Sequence, residues 1–262
     1  MNAGKTTRAR IAATLLLAAS MVVVAALLPR IPQDAAYHRF ADTRTLFGVP
    51  HALNVLSNVP FLLVGLLGWR AVFRKSPFLN PSERRPYAVC FAGITLTAFG
   101  SSWYHWAPDN ATLVWDRLPM TLGFMGLLCA VIAERVSVRV GLALLGPLIG
   151  GGIASVWYWR ITEATGVGDL RPYLLVQFGP AILIPALVLL FPARYTLSER
   201  YWRILGWYAA AKILEATDGP IFAAGGIVSG HTLKHLAAAW ACYEIVRMVE
   251  WRQPIKPTER SA

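Results

Sequence analysis

Three histidines, a serine and an aspartate in this chain have types and spacings that could do chemistry. Each sits in or beside a long apolar run, where a polar side chain is costly to hold and asks for a reason. His231 and His235 are four residues apart in Ser-Gly-His-Thr-Leu-Lys-His-Leu. In a helix both imidazoles then project from one face, a common way to supply two ligands to one zinc. Ser101 and His105 repeat the four-residue spacing at the end of another apolar run, and His105 supplies a third imidazole. Three histidines and a water form the usual open zinc site of a hydrolase. Asp116 follows His105 by eleven residues. The intervening Trp-Ala-Pro-Asp-Asn is a turn signal that reverses the chain and returns Asp116 toward His105. Plainer roles stand beside these: packing or hydrogen bonding for the histidine pair, and for Asp116 a salt bridge to Arg117 or a charge at a helix start. Ser102 neighbours Ser101, but the relation to His105 favours Ser101.

Two further polar sets interrupt apolar runs. Lys212, Glu215 and Asp218 fall at steps of three. They share a helix face as an internal ion ladder, as groups that orient a histidine, or as contacts to substrate. Asn54, Ser57 and Asn58 share another face, where helix–helix hydrogen bonds are the simplest use.

The elements that must position these residues are membrane helices. The chain of 262 residues is 56% hydrophobic and 15% charged, with a mean hydropathy of +0.48. That composition is too apolar for an ordinary soluble domain and fits a polytopic membrane protein. Eight apolar segments run roughly over 11–28, 53–73, 87–106, 112–133, 139–158, 173–191, 203–218 and 229–249. Strand-like alternation is missing from them, so a transmembrane barrel is not expected. The net charge of +11 does not point to nucleic acid. The basic residues lie between apolar segments rather than along one stripe, and read as topology signals. With the N-terminus inside, loops on that side carry Lys5, Arg8, Arg10, Arg74, Lys75, Arg84, Arg85, Arg135, Arg139, Arg194, Arg200 and the basic residues after Trp251. Loops on the other side carry fewer, and 107–111 and 219–228 carry none. Both ends are then cytoplasmic, and His105, Asp116, His231 and His235 meet in the outer third of the membrane. The first segment follows basic residues as a signal peptide would, but its length and the Leu28-Pro29-Arg30 that ends it favour an uncleaved helix. Cys90, Cys129 and Cys242 lie inside apolar stretches and form no Cys-x-x-Cys pair, so they read as small packing residues.

The pattern Ser101-x-x-x-His105, Asp116, and His231-x-x-x-His235 on the last helix resembles the alkaline ceramidase (alkaline phytoceramidase-like) family. That family belongs to a superfamily of seven-helix membrane hydrolases which also includes adiponectin-receptor-like proteins. Asn54-Val-Leu-Ser57-Asn58 is similar to the Asn-x-x-Ser-Asn of the family's first core helix, and the similarity runs from about residue 40 to 250. It implies an all-α membrane protein: an N-terminal transmembrane helix or signal anchor over 1–35, a seven-transmembrane-helix hydrolase domain over 36–251, and a polar, disordered cytoplasmic tail over 252–262. It implies a zinc-dependent intramembrane amidohydrolase that cleaves the N-acyl amide of a ceramide-like lipid to a fatty acid and a sphingoid-type amine. Zinc would be held by His105, His231 and His235. Asp116 would accept a proton from water and pass it to the leaving amine, and Ser101 would steady the oxyanion or orient the water. The implied partners are the lipid amide and membrane lipids, with no nucleic acid. The extra N-terminal helix points to a bacterial inner membrane, with the site toward the periplasm. The acidic calcium-binding segment of the eukaryotic members is reduced here to Asp42, with His51 in place of a glutamate, so calcium dependence does not carry over. A seven-helix receptor with a structural zinc, or a transporter with Lys212, Glu215 and Asp218 as a proton relay, are the other classes such a chain could serve.

Overall fold

The computed structural model describes residues 2–75 and 78–256; most of the expected tail, residues 257–262, lies outside the described residues. Among the described residues the chain is helical, with two isolated bridges and no strand. The helices are α1 (Asn2–Leu27), α2 (Ala52–Leu56), α3 (Val59–Arg70), α4 (Arg84–Trp106), α5 (Asn110–Arg135), α6 (Val138–Ala164), α7 (Arg171–Leu190), α8 (Arg200–Ala216), α9 (Asp218–Gly225) and α10 (Gly230–Trp251).

All eight apolar segments return as helix, but the second is broken. Pro60 has no N–H to give the Leu56 carbonyl, so α2 stops at Leu56 and α3 restarts at Val59. Ser57 and Asn58 fall in the break, buried; both donate back to the Asn54 carbonyl, and Ser57 Oγ also reaches α10. Among the described residues five spans are long and apolar enough to cross a membrane: Lys5–Leu27, Ala52–Arg74, Asn110–Arg135, Val138–Ala164 and Arg171–Leu190. Their make-up is that of a multi-pass membrane protein. α4, α8 and α10 fall short. α8 has 17 residues, and α10 spends its length on His231, Lys234, His235, Glu244, Arg247 and Glu250. These three helices carry polar groups inward, which lowers their hydropathy without making them surface helices. The most apolar stretch of α1 is unburied along its whole length. α1 leans on α7 and otherwise shows Leu15, Leu16, Val22 and Val23 to its surroundings.

α4 and α5 form the central antiparallel pair. Asp109 caps α5, accepting from Ala111 N at 2.8 Å and Thr112 N at 2.7 Å. The Thr112 hydroxyl answers the Asp109 N–H and completes a capping box. Those bonds, led by the one from Thr112 N, hold the Asp109 carboxyl below the usual carboxylate range. Two glycines set the distances that matter. A Cβ on Gly100 would lie 1.9 Å from the Trp115 carbonyl oxygen, so only glycine lets α5 pass beside Ser101. A Cβ on Gly230 would lie 2.3 Å from the Leu214 carbonyl oxygen, so glycine also lets α10 begin hard against α8.

The segment between α1 and α2 is not a plain linker between two domains. It packs across one end of the bundle: Leu170 N donates to Ile31 O at 2.8 Å, and Gln33 N to Glu163 Oε2 at 3.0 Å. The expected boundary near residue 35 therefore falls inside a packed segment. At the opposite end, the chain after Trp251 is ordered as far as it is described, which corrects the expectation of a disordered tail from 252. Arg252 is 1% exposed and pairs with Glu134. Glu134 also accepts from Tyr87 at 2.7 Å and Tyr201 at 3.0 Å. Thr196 N donates to Gln253 O, and Ile255 N to Arg194 O, which holds the segment as a short bridge. A buried ion pair outweighs the polar look of Arg-Gln-Pro.

Candidate metal centre and its cavity

His105, His231 and His235 come together as a buried cluster. One nitrogen of each lies within 4.8 Å of the others, close enough to hold a metal ion. Ring centroids are 4.8 Å apart for His105–His231, 4.8 Å for His105–His235 and 4.9 Å for His231–His235. α4 brings His105 on its last turn, and α10 brings the pair on its first two turns. Ser229 caps α10, its Oγ accepting from Thr232 N at 3.2 Å, which starts the helix just before His231.

Each histidine is held from outside. Ser57 Oγ lies 2.7 Å from His235 Nδ1 and donates its own proton to Asn54 O at 3.0 Å. The serine oxygen must then accept from Nδ1–H, which fixes the His235 tautomer and leaves the Nε2 lone pair for the cluster. Asn54 Oδ1 accepts from Thr232 Oγ1 at 2.7 Å and ties α2 to α10. The backbone carbonyl of His105 accepts from His51 Nδ1 at 3.0 Å. Asp218 takes His231 N at 2.7 Å on one oxygen and Ala41 N at 2.9 Å on the other. It thereby clamps the loop that lays Phe40 over the cluster, 4.7 Å from the His105 ring and 4.7 Å from the His231 ring. The donor set fits a borderline metal. Three imidazoles converge, the His235 ring is held from behind by Ser57, and His105 Nδ1 is buried with no hydrogen-bond partner.

Ser101 and Asp116, 3% and 7% exposed, line a cavity of about 200 Å³ that His235 also lines. The Ser101 hydroxyl faces the Asp116 carboxylate. Asp116 is not in the metal-holding group. Its neighbour Arg117 is engaged elsewhere, donating to Gln33 Oε1 at 2.6 Å and lying 4.1 Å over the Trp159 ring. Ser102 donates to Val55 O at 3.2 Å, tying α4 to α2, whereas Ser101 lines the cavity.

The second polar set differs from the expected ladder. Glu215 pairs with Lys212 and, at 2.7 Å, with Lys234. Asp218 has left that face for α9 and the backbone clamp. Lys234 lies inside His-Thr-Leu-Lys-His itself, with Nζ 3.3 Å from His231 Nε2. Sequence reasoning passed over it, although a lysine in an apolar helix was a signal of the same kind as the histidines. His38, bonded to Tyr104 and Asn110 at 3.0 Å each, was also missed. No protein-family model and no curated protein matches this chain.

Proposed function

We propose that the chain is a zinc-dependent intramembrane amidohydrolase of the alkaline ceramidase kind, acting on the N-acyl amide of a ceramide-like lipid. The observation that carries this reading is that His235, one of three clustered buried imidazoles, lines one cavity with Ser101 and Asp116. A merely structural metal has no use for the aspartate and the serine. The seven-helix core would be α2–α3, α4, α5, α6, α7, α8 and α10, with α1 as the additional span. The loop charges would put both ends in the cytoplasm and the centre toward the periplasmic side of a bacterial inner membrane.

His105, His231 and His235 would hold the metal. Bound zinc would supply a Lewis acid that polarises the amide carbonyl and makes water acidic enough to attack near neutral pH. In the hydrolysis, the oxygen of water bonds to the acyl carbon, the C–N bond breaks, and the amine leaves with a proton. Asp116 is the group that takes the proton from water and returns it to the amine nitrogen. Ser101, facing Asp116, orients the water or donates to the developing oxyanion. Phe40 and the apolar cavity wall keep bulk water out.

The test is metal analysis of the purified protein, followed by release of fatty acid from a panel of N-acyl lipids. About one zinc per chain is expected, with occupancy strongly reduced in His231→Ala and His235→Ala. Full zinc in both variants, or a metal-loaded protein that cleaves no amide, would overturn the proposal.

A further inference from the structure

The cavity end nearest the histidines carries surplus positive charge. Asp116, Arg117, Lys212, Glu215 and Lys234 line it, three cations against two carboxylates. Glu215 is shared by both lysines. Arg117 has no carboxylate partner among the described residues. Its Nη2 donates to the neutral Gln33 amide, and its Nη1 is buried without any partner. The rings of Trp159 and Tyr173, 4.1 and 4.7 Å from its guanidinium carbon, hold it in place. A buried unpaired guanidinium is expensive, and an incoming anion relieves it.

Helix direction orders the cavity. Arg117 is near the start of α5, Lys234 near the start of α10, and Lys212 near the end of α8, so the cations share one end. Leu127, Ile184, Cys242 and Ile245 line it further along α5, α7 and α10. An amphiphile lying in this cavity has its charge beside the histidines and its chain among apolar helices.

We propose that the cavity selects N-acyl amides whose amine part carries an anion, a carboxylate or a phosphate, held by Arg117 and Lys212. The proposal rests on the amidohydrolase reading and narrows its N-acyl lipid substrates to those with an anionic amine part.

The test uses the full chain in detergent micelles and three amides with one acyl chain: N-palmitoylglycine, N-palmitoylphosphoethanolamine and neutral N-palmitoylethanolamine. One anionic amide is expected to exceed the neutral one by about tenfold or more in kcat/KM, the size of a charge-assisted hydrogen bond. Preference for the glycine amide assigns a carboxylate, and for the other a phosphate. Lys212→Gln removes the surplus charge and leaves Glu215 paired with Lys234, so the anionic-to-neutral ratio should fall about tenfold. Binding of hexadecyl phosphate, which has no amide, is measured beside it by tryptophan fluorescence and should weaken in the same variant. If all three amides are cleaved alike and Lys212→Gln leaves the ratio unchanged, the anion proposal is overturned while the hydrolase stands. If none is cleaved yet hexadecyl phosphate binds through Lys212, the anion site stands and the hydrolase reading falls. If nothing is cleaved and nothing binds, both fall.

Discussion

Ser57→Ala is the most informative change outside the cluster, because it touches no bound metal and removes one atom. Ser57 Oγ sits 2.7 Å from His235 Nδ1, with Ser57 7% and His235 3% exposed. Without the hydroxyl, the ring N–H loses its acceptor in a site that water does not readily enter. Leaving a buried donor unpaired costs about 1–3 kcal/mol. Loss of an outer partner of a metal-ligating histidine typically lowers metal affinity about 10–100-fold, equivalent to about 1.4–2.7 kcal/mol. The two ranges overlap because they count one event: the ring is no longer held with Nε2 toward the cluster. Zinc affinity is read by competition with a chromogenic chelator, and cobalt substitution reports the ligand geometry by its absorption spectrum. Ser57→Ala should bind zinc about 10–100-fold more weakly, and Ser57→Thr, which keeps a hydroxyl, should recover most of the loss. Thermal unfolding of metal-free protein in detergent separates damage to the fold from damage to the centre. Unchanged zinc affinity in Ser57→Ala would show that His235 is either oriented by something else or not a ligand.

Three further outcomes are expected. Arg252→Gln should cost about 3 kcal/mol or more, the typical result of breaking a buried pair, measured by detergent unfolding; a shift near zero would show that Tyr87 and Tyr201 satisfy Glu134 alone. Asp169, in the loop before α7, bonds the Arg171 side chain, which holds its carboxyl down at about 2; Arg171 in turn donates to Leu28 O at 2.5 Å at the end of α1. A depressed carboxyl stabilises fully above its unfolded value near 4 and loses that contribution as pH falls toward about 2, so wild type should weaken across that window and Asp169→Asn should not. An impermeant thiol reagent on intact cells should modify Ala107→Cys and spare Arg139→Cys, both exposed positions; the reverse pattern puts the centre on the cytoplasmic side.

The histidine cluster was legible because four-residue spacing fixes a shared helix face, and a polar group in an apolar run needs a partner. Helix existence was legible for the same reason that lipid is a demanding solvent. Contacts between elements were not. Nothing local to Ser57 says that His235, 178 residues away, lies against it. Nothing in Gly230 says that it clears the Leu214 carbonyl and so delivers Lys234 to Glu215. Asp218 fitted the three-residue ladder by number, but α8 ends at Ala216 and the carboxylate turns to two backbone N–H groups. The packing of the loop before α2 was not legible, because Phe40 on the cluster and Gln33 on Arg117 are long-range contacts with no periodicity to announce them. Arg252 looked like the start of a solvated tail because its partner Glu134 is distant in sequence.

In the proposed hydrolysis, Asp116 moves a proton while the histidines hold a metal. Asp116→Asn keeps the shape of the side chain and removes its basicity. General acid–base catalysis contributes about 10²–10⁴-fold, so release of fatty acid from an N-acyl lipid should fall by about that factor. Zinc content should stay at the wild-type level, because Asp116 lies outside the three-histidine group. The two quantities are to be measured on the same preparation. Activity lost with metal kept is the predicted result; hydrolysis at the wild-type rate, or zinc lost with the carboxylate, would contradict it.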